Sequence, residues 1–302
     1  MFSAISKKFG ALDGIVLAIL AYALLSLGDA CVKKLSQSHD IIYVAFYNNI
    51  VSTLALLVLC LFLGGPKKLV QTHCLKLHLL RALTFLCVFL SFLYAISNMP
   101  IARTYSFLLT QPFILAILAH FIAKEHIGPH RVFAICGGFI GVLIVLRPGF
   151  APLELAALSA LLSAFLFACG NMISKYLDRR DHWMTYMFYL MLVQTPILTG
   201  ILFYTGGFEA GLPDTYSLPW FLVSGISYTL GLPLLVLAVQ RIDAAVFGGL
   251  EFTALVWGTL FGFLIFAEIP DHYTVAGAFI IVLSGLYLVY RERQAHKSLK
   301  AP

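Results

Sequence analysis

The sequence predicts an all-α membrane protein with ten transmembrane helices, arranged as two inverted five-helix repeats with both termini in the cytoplasm. Three observations carry this expectation. The 302 residues are 61% hydrophobic and only 11% charged, whereas a soluble domain is about half apolar and a quarter charged. The apolar residues gather into ten runs with short connections, each near the ~20 residues that cross a bilayer. The basic residues alternate between connections. With an even number of spans and the N-terminus inside, sixteen of the 20 Lys and Arg lie inside, and only Lys33, Lys34, Arg103 and Arg147 lie outside. Cytoplasmic loops collect basic residues, so the formal charge of +6 reads as topology rather than as a nucleic-acid surface.

The first span is expected over 12–32. It follows Lys7 and Lys8 as the core of a signal peptide would, but it is long and runs directly into Lys33 and Lys34. It therefore reads as a retained membrane helix. Spans two and three cover 41–64 and 76–97. Span four, 100–122, follows the tight turn "SNMPIA" and must run antiparallel to span three. Within it, "TYSFLLTQPFILAIL" places Pro112 mid-membrane beside Thr110 and Gln111. Proline has no N–H to donate, so the carbonyl of Leu108 is freed. Spans five, six and seven cover 130–147, 153–175 and 183–205. Span eight, 218–240, contains "SGISYTLGLP", where Gly225, Ser227, Gly231 and Pro233 weaken the helix in a similar way. Broken helices are tolerated in a membrane only against protein or water. Pro112, Pro233 and Gly231 are thus candidate hinges on a cavity wall, with plain kinks the alternative. Span nine, 244–266, follows the turn "QRIDAA", and span ten covers 273–290.

The two halves match weakly. "YAISNMPIA" (94–102) aligns with "LAVQRIDAA" (237–245), and Glu125 falls on Glu268 at the same spacing. "DACVKKLSQSHD" (29–40) aligns with "GNMISKYLDRRD" (170–181), placing Lys34 on Lys175 and Asp40 on Asp181. Five spans per half is an odd number, so residues 1–148 and 149–302 would enter the membrane from opposite sides. Inverted repeats are a recurrent design of secondary transporters, with the substrate near the midplane between the halves.

Glu251 is the deepest acid in the sequence. An ionised carboxylate at that depth costs about 2.5–3.5 kcal/mol on insertion scales, and such residues face the bundle. On a continuous helix, Ala254, Gly258 and Gly262 would share its face, and small residues mark close helix contact. It reads as a substrate-ammonium site, a proton site, or a structural tie between helices. Asp29 lies near the outer end of span one, within helical reach of Lys33 and Lys34; it reads as a substrate site, or as an interfacial ion pair or cap. Asn171 stands four residues before Lys175 in the matching position of the other half. Arg81 and Arg103 sit a few residues inside spans three and four. Each could hold a substrate carboxylate or snorkel to the interface. Tyr22, Tyr105, Tyr228 and Trp257 could hold a cationic group or simply pack.

The 5+5 layout, short loops and paired "AxxxxxxA…E" pattern resemble the ten-helix EamA-type members of the drug/metabolite transporter superfamily. Within it, four stretches resemble S-adenosylmethionine uptake carriers: "NMISKYL" (171–177), "HLLRALTFLCVFLSFLYAIS" (78–97), "GLEFTALVWGTLFGFLIFAEIPDHYTVAGAFII" (249–281) and "VYRER" (289–293). The resemblance implies a carrier of a small polar metabolite in a bacterial-type inner membrane, cationic or zwitterionic, coupled to a proton or a counter-substrate. Its aromatic residues would then stack on an adenine or face a sulfonium. An amino-acid or drug exporter of the same superfamily is the alternative. "FYNNI" (46–50) departs from the pattern, with Asn48 and Asn49 where many relatives carry an Arg.

Enzymatic readings find little in the sequence. "KEHIGPH" places His126 and His130 four apart beside Glu125, but Gly128-Pro129 breaks the helix that a zinc-protease motif needs. The six cysteines lie mostly within apolar runs and form no CxxC pair, so they read as small hydrophobes. No phosphate-binding loop, nucleophile elbow or dinucleotide fingerprint is present. No cofactor and no metal is expected, and the expected partners are a small-molecule substrate and the lipid bilayer.

Overall fold

A bilayer core offers no water to backbone N–H and C=O groups, so each crossing segment must bond its own backbone, which a helix does. The computed structural model describes residues 11–63, 67–123, 128–147, 154–177, 181–242 and 244–298, and regular structure there is helical throughout. The helices are α1 (Ala11–Ser36), α2 (Ile41–Leu63), a single-turn α3 (Lys67–Val70), α4 (Leu75–Asn98), α5 (Ile101–Leu108) and α6 (Gln111–Ala123). They continue with α7 (Pro129–Leu146), α8 (Leu155–Lys175), α9 (Trp183–Tyr204), α10 (Leu218–Val239), α11 (Ala244–Leu250), α12 (Thr253–Phe266) and α13 (His272–Ser298). Nine helical stretches among the described residues are long and apolar enough to cross a membrane. The expected fifth span is shorter, with its apolar part at Val132–Leu146.

Two stretches that cross are interrupted. Span four divides into α5 and α6 at Leu109–Thr110, two residues before Pro112. Span eight does not break: α10 runs through Pro233. Gly231 serves close packing there, since a Cβ would come 3.0 Å from the Leu25 side chain of α1. The second interruption falls instead in span nine, at Glu251–Phe252, between α11 and α12. No proline marks it in the sequence.

α1 lies along α10 and α12, and α4 lies along α8. α8 also packs on α5 and α6, α2 packs on α9 and α10, α4 packs on α9, and α7 pairs with α13. In lipid these contacts are driven by close van der Waals fit, which small residues permit. At α7–α13, a Cβ on Gly277 would lie 2.6 Å from the Gly141 carbonyl oxygen, so the two backbones nearly touch. At α1–α10, a Cβ on Gly28 would lie 3.2 Å from the Tyr228 ring.

The outer surface is apolar, with Leu61, Phe62, Phe121, Phe133, Phe139 and Phe263 exposed. Apolar exposure on this scale would aggregate a soluble protein, and lipid covers it in a membrane protein. The two asparagines of "FYNNI" point inward. Asn49 Nδ2 donates to Gln194 Oε1 of α9 at 3.2 Å, and Ser224 of α10 donates to Asn48 Oδ1 at 2.6 Å. They tie α2 to its neighbours by buried hydrogen bonds.

Candidate functional site

The polar centre of the bundle forms where α1, α5, α10 and α12 meet. Asp29 sits on α1 and is buried. The close approach at Gly28 brings the Tyr228 hydroxyl of α10 to one oxygen of Asp29, to which it donates. The Tyr105 hydroxyl of α5 donates to the other oxygen and lies 3.2 Å from Ser26 Oγ. Ser26 in turn donates to the carbonyl of Ala254 on α12, at 3.3 Å. The Tyr105 ring fits because residue 258 is glycine: a Cβ there would sit 2.1 Å from it. An ionised carboxylate accepts bonds and donates none, and charge-assisted bonds are the strong ones. Two phenols converging on Asp29 are therefore arranged for a carboxylate.

This corrects the expected pairing of Asp29 with Lys33 or Lys34. The Lys33 ammonium, itself buried, forms an ion pair with Glu268 and donates to the Met99 carbonyl at 2.6 Å. The second Glu268 oxygen accepts the Ile101 N–H at 2.9 Å, one of the amides left unpaired at a helix start. The Phe266 ring lies 5.2 Å from the Lys33 nitrogen, within cation–π range. Ala267, in the left-handed conformation at φ 54°, turns the chain so that Glu268 reaches back. Lys34 reaches Gln37 instead.

Glu251 stands at the α11–α12 break, half-buried, and its carboxylate makes no hydrogen bond or ion pair with the described residues. Tyr22 of α1 lies within its electrostatic reach. The expected stripe of small residues starts only with α12. Ala254 packs with Tyr22, Leu250 and Trp257, while Gly258 and Gly262 are buried beside Ile101 of α5. Trp257 also stacks on Phe261 with ring centroids 6.2 Å apart. Gln111 is buried at the start of α6, next to the other break.

The remaining candidates lie apart from this centre. Arg81 donates from Nε to Ser174 of α8 at 2.8 Å and stacks 4.5 Å over Phe85, within reach of Tyr186 on α9. Arg103 pairs with Glu154 at 2.9 Å. Asn171 is half-buried on α8. Glu125 and His126 lie outside the described residues, as does the side chain of Lys175, while His130 Nδ1 lies 2.8 Å from the Tyr287 hydroxyl.

Two groupings escaped the sequence reading. One is the Lys33–Glu268 clasp. The other is His78, fully buried on α4, whose Nε2 lies 2.9 Å from Asp181, which also accepts from Thr72. Burial works against ionisation of Asp181, but the bonds from His78, Thr72 and the His73 amide outweigh it and hold the carboxyl below its ordinary value. Both groupings join residues more than 100 positions apart, beyond what helical spacing can pair.

The model of the EamA-like transporter family matches residues 12–147 and again 154–291. The chain is 27% identical over 288 residues to an S-adenosylmethionine uptake transporter of Rickettsia prowazekii, covering 95% of this chain and 96% of that one. It is 28% identical over 227 residues to a riboflavin transporter of Rhizobium johnstonii, covering 75% and 74%. A solved crystal structure shares its fold, with a TM-score of 0.63 at 16% identity over 94% of this chain and 98% of that one. The matching family model and the multi-pass helical structure agree: this chain is an integral membrane transporter and belongs to the EamA-like transporter family.

Proposed function

We propose that the chain is a ten-span secondary carrier, built from inverted halves at 1–148 and 149–302. It moves a small cationic or zwitterionic metabolite across the cytoplasmic membrane by alternating access. The observation that carries this reading is the Asp29 centre. Asp29, Ser26 and Tyr105 come from the first half, and Tyr228 and Ala254 from the second, so a ligand there engages both halves at once. An acid with two aromatic hydroxyls suits a substrate ammonium or sulfonium. The S-adenosylmethionine uptake transporter of Rickettsia prowazekii gives that class its leading member.

The packing supports the repeat. Moving along the chain by about 142 residues exchanges α1–α10 with α8–α4, and α2–α10 with α9–α4, while α2–α9 and α7–α13 map onto themselves. Hydroxyls follow the same rule. Tyr47 donates to the Gly211 carbonyl at 3.0 Å, and Tyr189 donates to the Val70 carbonyl at 2.9 Å. The interruptions at Leu109–Thr110 and Glu251–Phe252 correspond too. In this reading α7 completes the ten spans, and Glu251, half-buried and unpaired among the described residues, is a second cation or proton station. Trp257, Gln111, Arg81, Arg103 and Asn171 remain further substrate contacts to be tested by substitution, and Pro112, Pro233 and Gly231 hinges.

A second reading, a riboflavin carrier, draws on the Rhizobium johnstonii relative and on the aromatic group of Tyr22, Phe247 and Trp257 beside Glu251. Counterflow in proteoliposomes separates the two. Labelled S-adenosylmethionine, riboflavin and a panel of amino acids are offered to the wild type, Asp29→Asn and Glu251→Gln, with and without a pH gradient. The cationic reading expects uptake of charged members that both variants lose. Uptake of riboflavin alone, unaffected by Asp29→Asn, would replace it with the second reading. Full activity of Glu251→Gln, including its response to the gradient, would remove Glu251.

A further inference from the structure

We infer that the Lys33–Glu268 clasp is the gate that closes the Asp29 centre on the side where α1 ends; this rests on the carrier reading above. Lys33 is one helical turn beyond Asp29 on the same face of α1, as the four-residue spacing dictates. It is therefore the next polar layer outward from the centre. That layer joins three separate pieces of backbone. The ammonium binds the Met99 carbonyl at the end of α4. Glu268, just past the end of α12, binds both the ammonium and the first amide of α5. The Phe266 ring lies against the same ammonium. A ligand approaching Asp29 from this side meets the clasp first, and α1 cannot part from α5 and α12 while the clasp holds.

Its composition suits a contact that opens and reforms. An apolar plug of the same volume would hold as well without the cost of burying two charges. An ion pair that water can enter has a wet state in which each partner is solvated separately. Glu268 keeps some exposure, with 18% of its side chain accessible against 7% for Lys33, so water reaches the acid side first. Both halves again contribute, Lys33, Met99 and Ile101 from the first and Glu268 from the second. The clasp therefore responds to any relative movement of the two.

Two experiments test the gate. In a variant whose native cysteines are replaced, Ser26→Cys reports access to the centre, labelled by a membrane-impermeant maleimide applied to one face of oriented vesicles. Adding Glu268→Gln should raise labelling from the face at the α1 end by about tenfold, as expected when a two-state equilibrium loses its latch, and leave the other face unchanged. Unchanged labelling, or an equal rise from both faces, would overturn the gate, the latter because it reports general loosening. Separately, Lys33→Cys with Glu268→Cys, joined by a bis-methanethiosulfonate that spans the gap left by the two shortened side chains, should lose counterflow until the bridge is reduced. Full counterflow with the bridge in place overturns the proposal. If the wild type moves no substrate at all, the carrier reading fails, while the labelling experiment still decides the clasp.

Discussion

Asp29 concentrates the chemistry at the scale of single residues. Its two oxygens each take a tyrosine hydroxyl, and replacing it by Asn keeps the shape while removing the charge. Charge-assisted bonds contribute about 1.5–3 kcal/mol, so uptake of a cationic substrate should fall by roughly 10–100-fold in Asp29→Asn, measured as initial rates in proteoliposomes. A rate within a factor of two of wild type would show that the substrate charge is held elsewhere. Asp181 gives a second test. Its carboxyl is held below its ordinary value of 3.8, so the folded state binds this proton more weakly than the unfolded chain. The stability it adds is fully present above about pH 4 and is lost as pH falls through the lowered folded-state value. The apparent melting temperature of the detergent-solubilised protein should therefore fall less steeply below about pH 4 in Asp181→Asn than in the wild type. Parallel curves would contradict the assignment.

Among the elements, α7 and α13 depend most on having no side chain at one point. A Cβ at Gly277 would meet both Gly141 O at 2.6 Å and the Val145 side chain at 2.4 Å. Backbone cannot rotate aside as a side chain can, so Gly277→Ala forces the helices apart. Overpacking of this kind costs about 1–3 kcal/mol and should lower the apparent melting temperature, whereas Ala at Gly200, where nothing lies within 4 Å, should not. The extents of the helices were legible in the sequence because bilayer crossing imposes a long apolar run with polar ends. Spans two, three, seven and eight agree with α2, α4, α9 and α10 to within one residue at each end. The interruptions were legible only in part. Pro112 signalled the first because a missing N–H is a local property. Pro233 signalled a break that did not form, because α1 packs against α10 at that level through Leu25 and Gly231. The break at Glu251 carries no proline, and its local mark, the pair Gly248-Gly249 just before it, is a weaker signal than a missing N–H. The partners of Asp29 stayed hidden for the same reason: spacing along one helix suggested Lys33, while the tyrosines arrive from helices 76 and 199 positions away.

For the molecule as a whole, the side on which each basic residue lies is what the expected topology assigns. Of the four expected outside, Lys33 pairs with Glu268, Arg103 with Glu154 and Arg147 with Asp271. In Asp271, burial opposes ionisation, but the Thr274 amide and Arg147 outweigh it and leave the carboxyl below its ordinary value. The proposed orientation predicts that reporter fusions at both termini will behave as cytoplasmic: active for a fluorescent protein and silent for a phosphatase that needs export. An active phosphatase fusion at either end would invert or break the topology.

The interruptions at Leu109–Thr110 and Glu251–Phe252 also reverse an ordinary rule about where a membrane helix is most protected. In a continuous crossing the central amides exchange their hydrogens last, since they are furthest from water and from fraying ends. Here each broken crossing has two helix ends near its middle, so Thr110 relies on a short-range bond to Phe107 at 3.1 Å instead of a full helical ladder. Deuterium uptake should therefore begin from the inside of these two segments and spread toward their ends. The neighbouring α1 and α10, which run unbroken through the same depth, would stay dark.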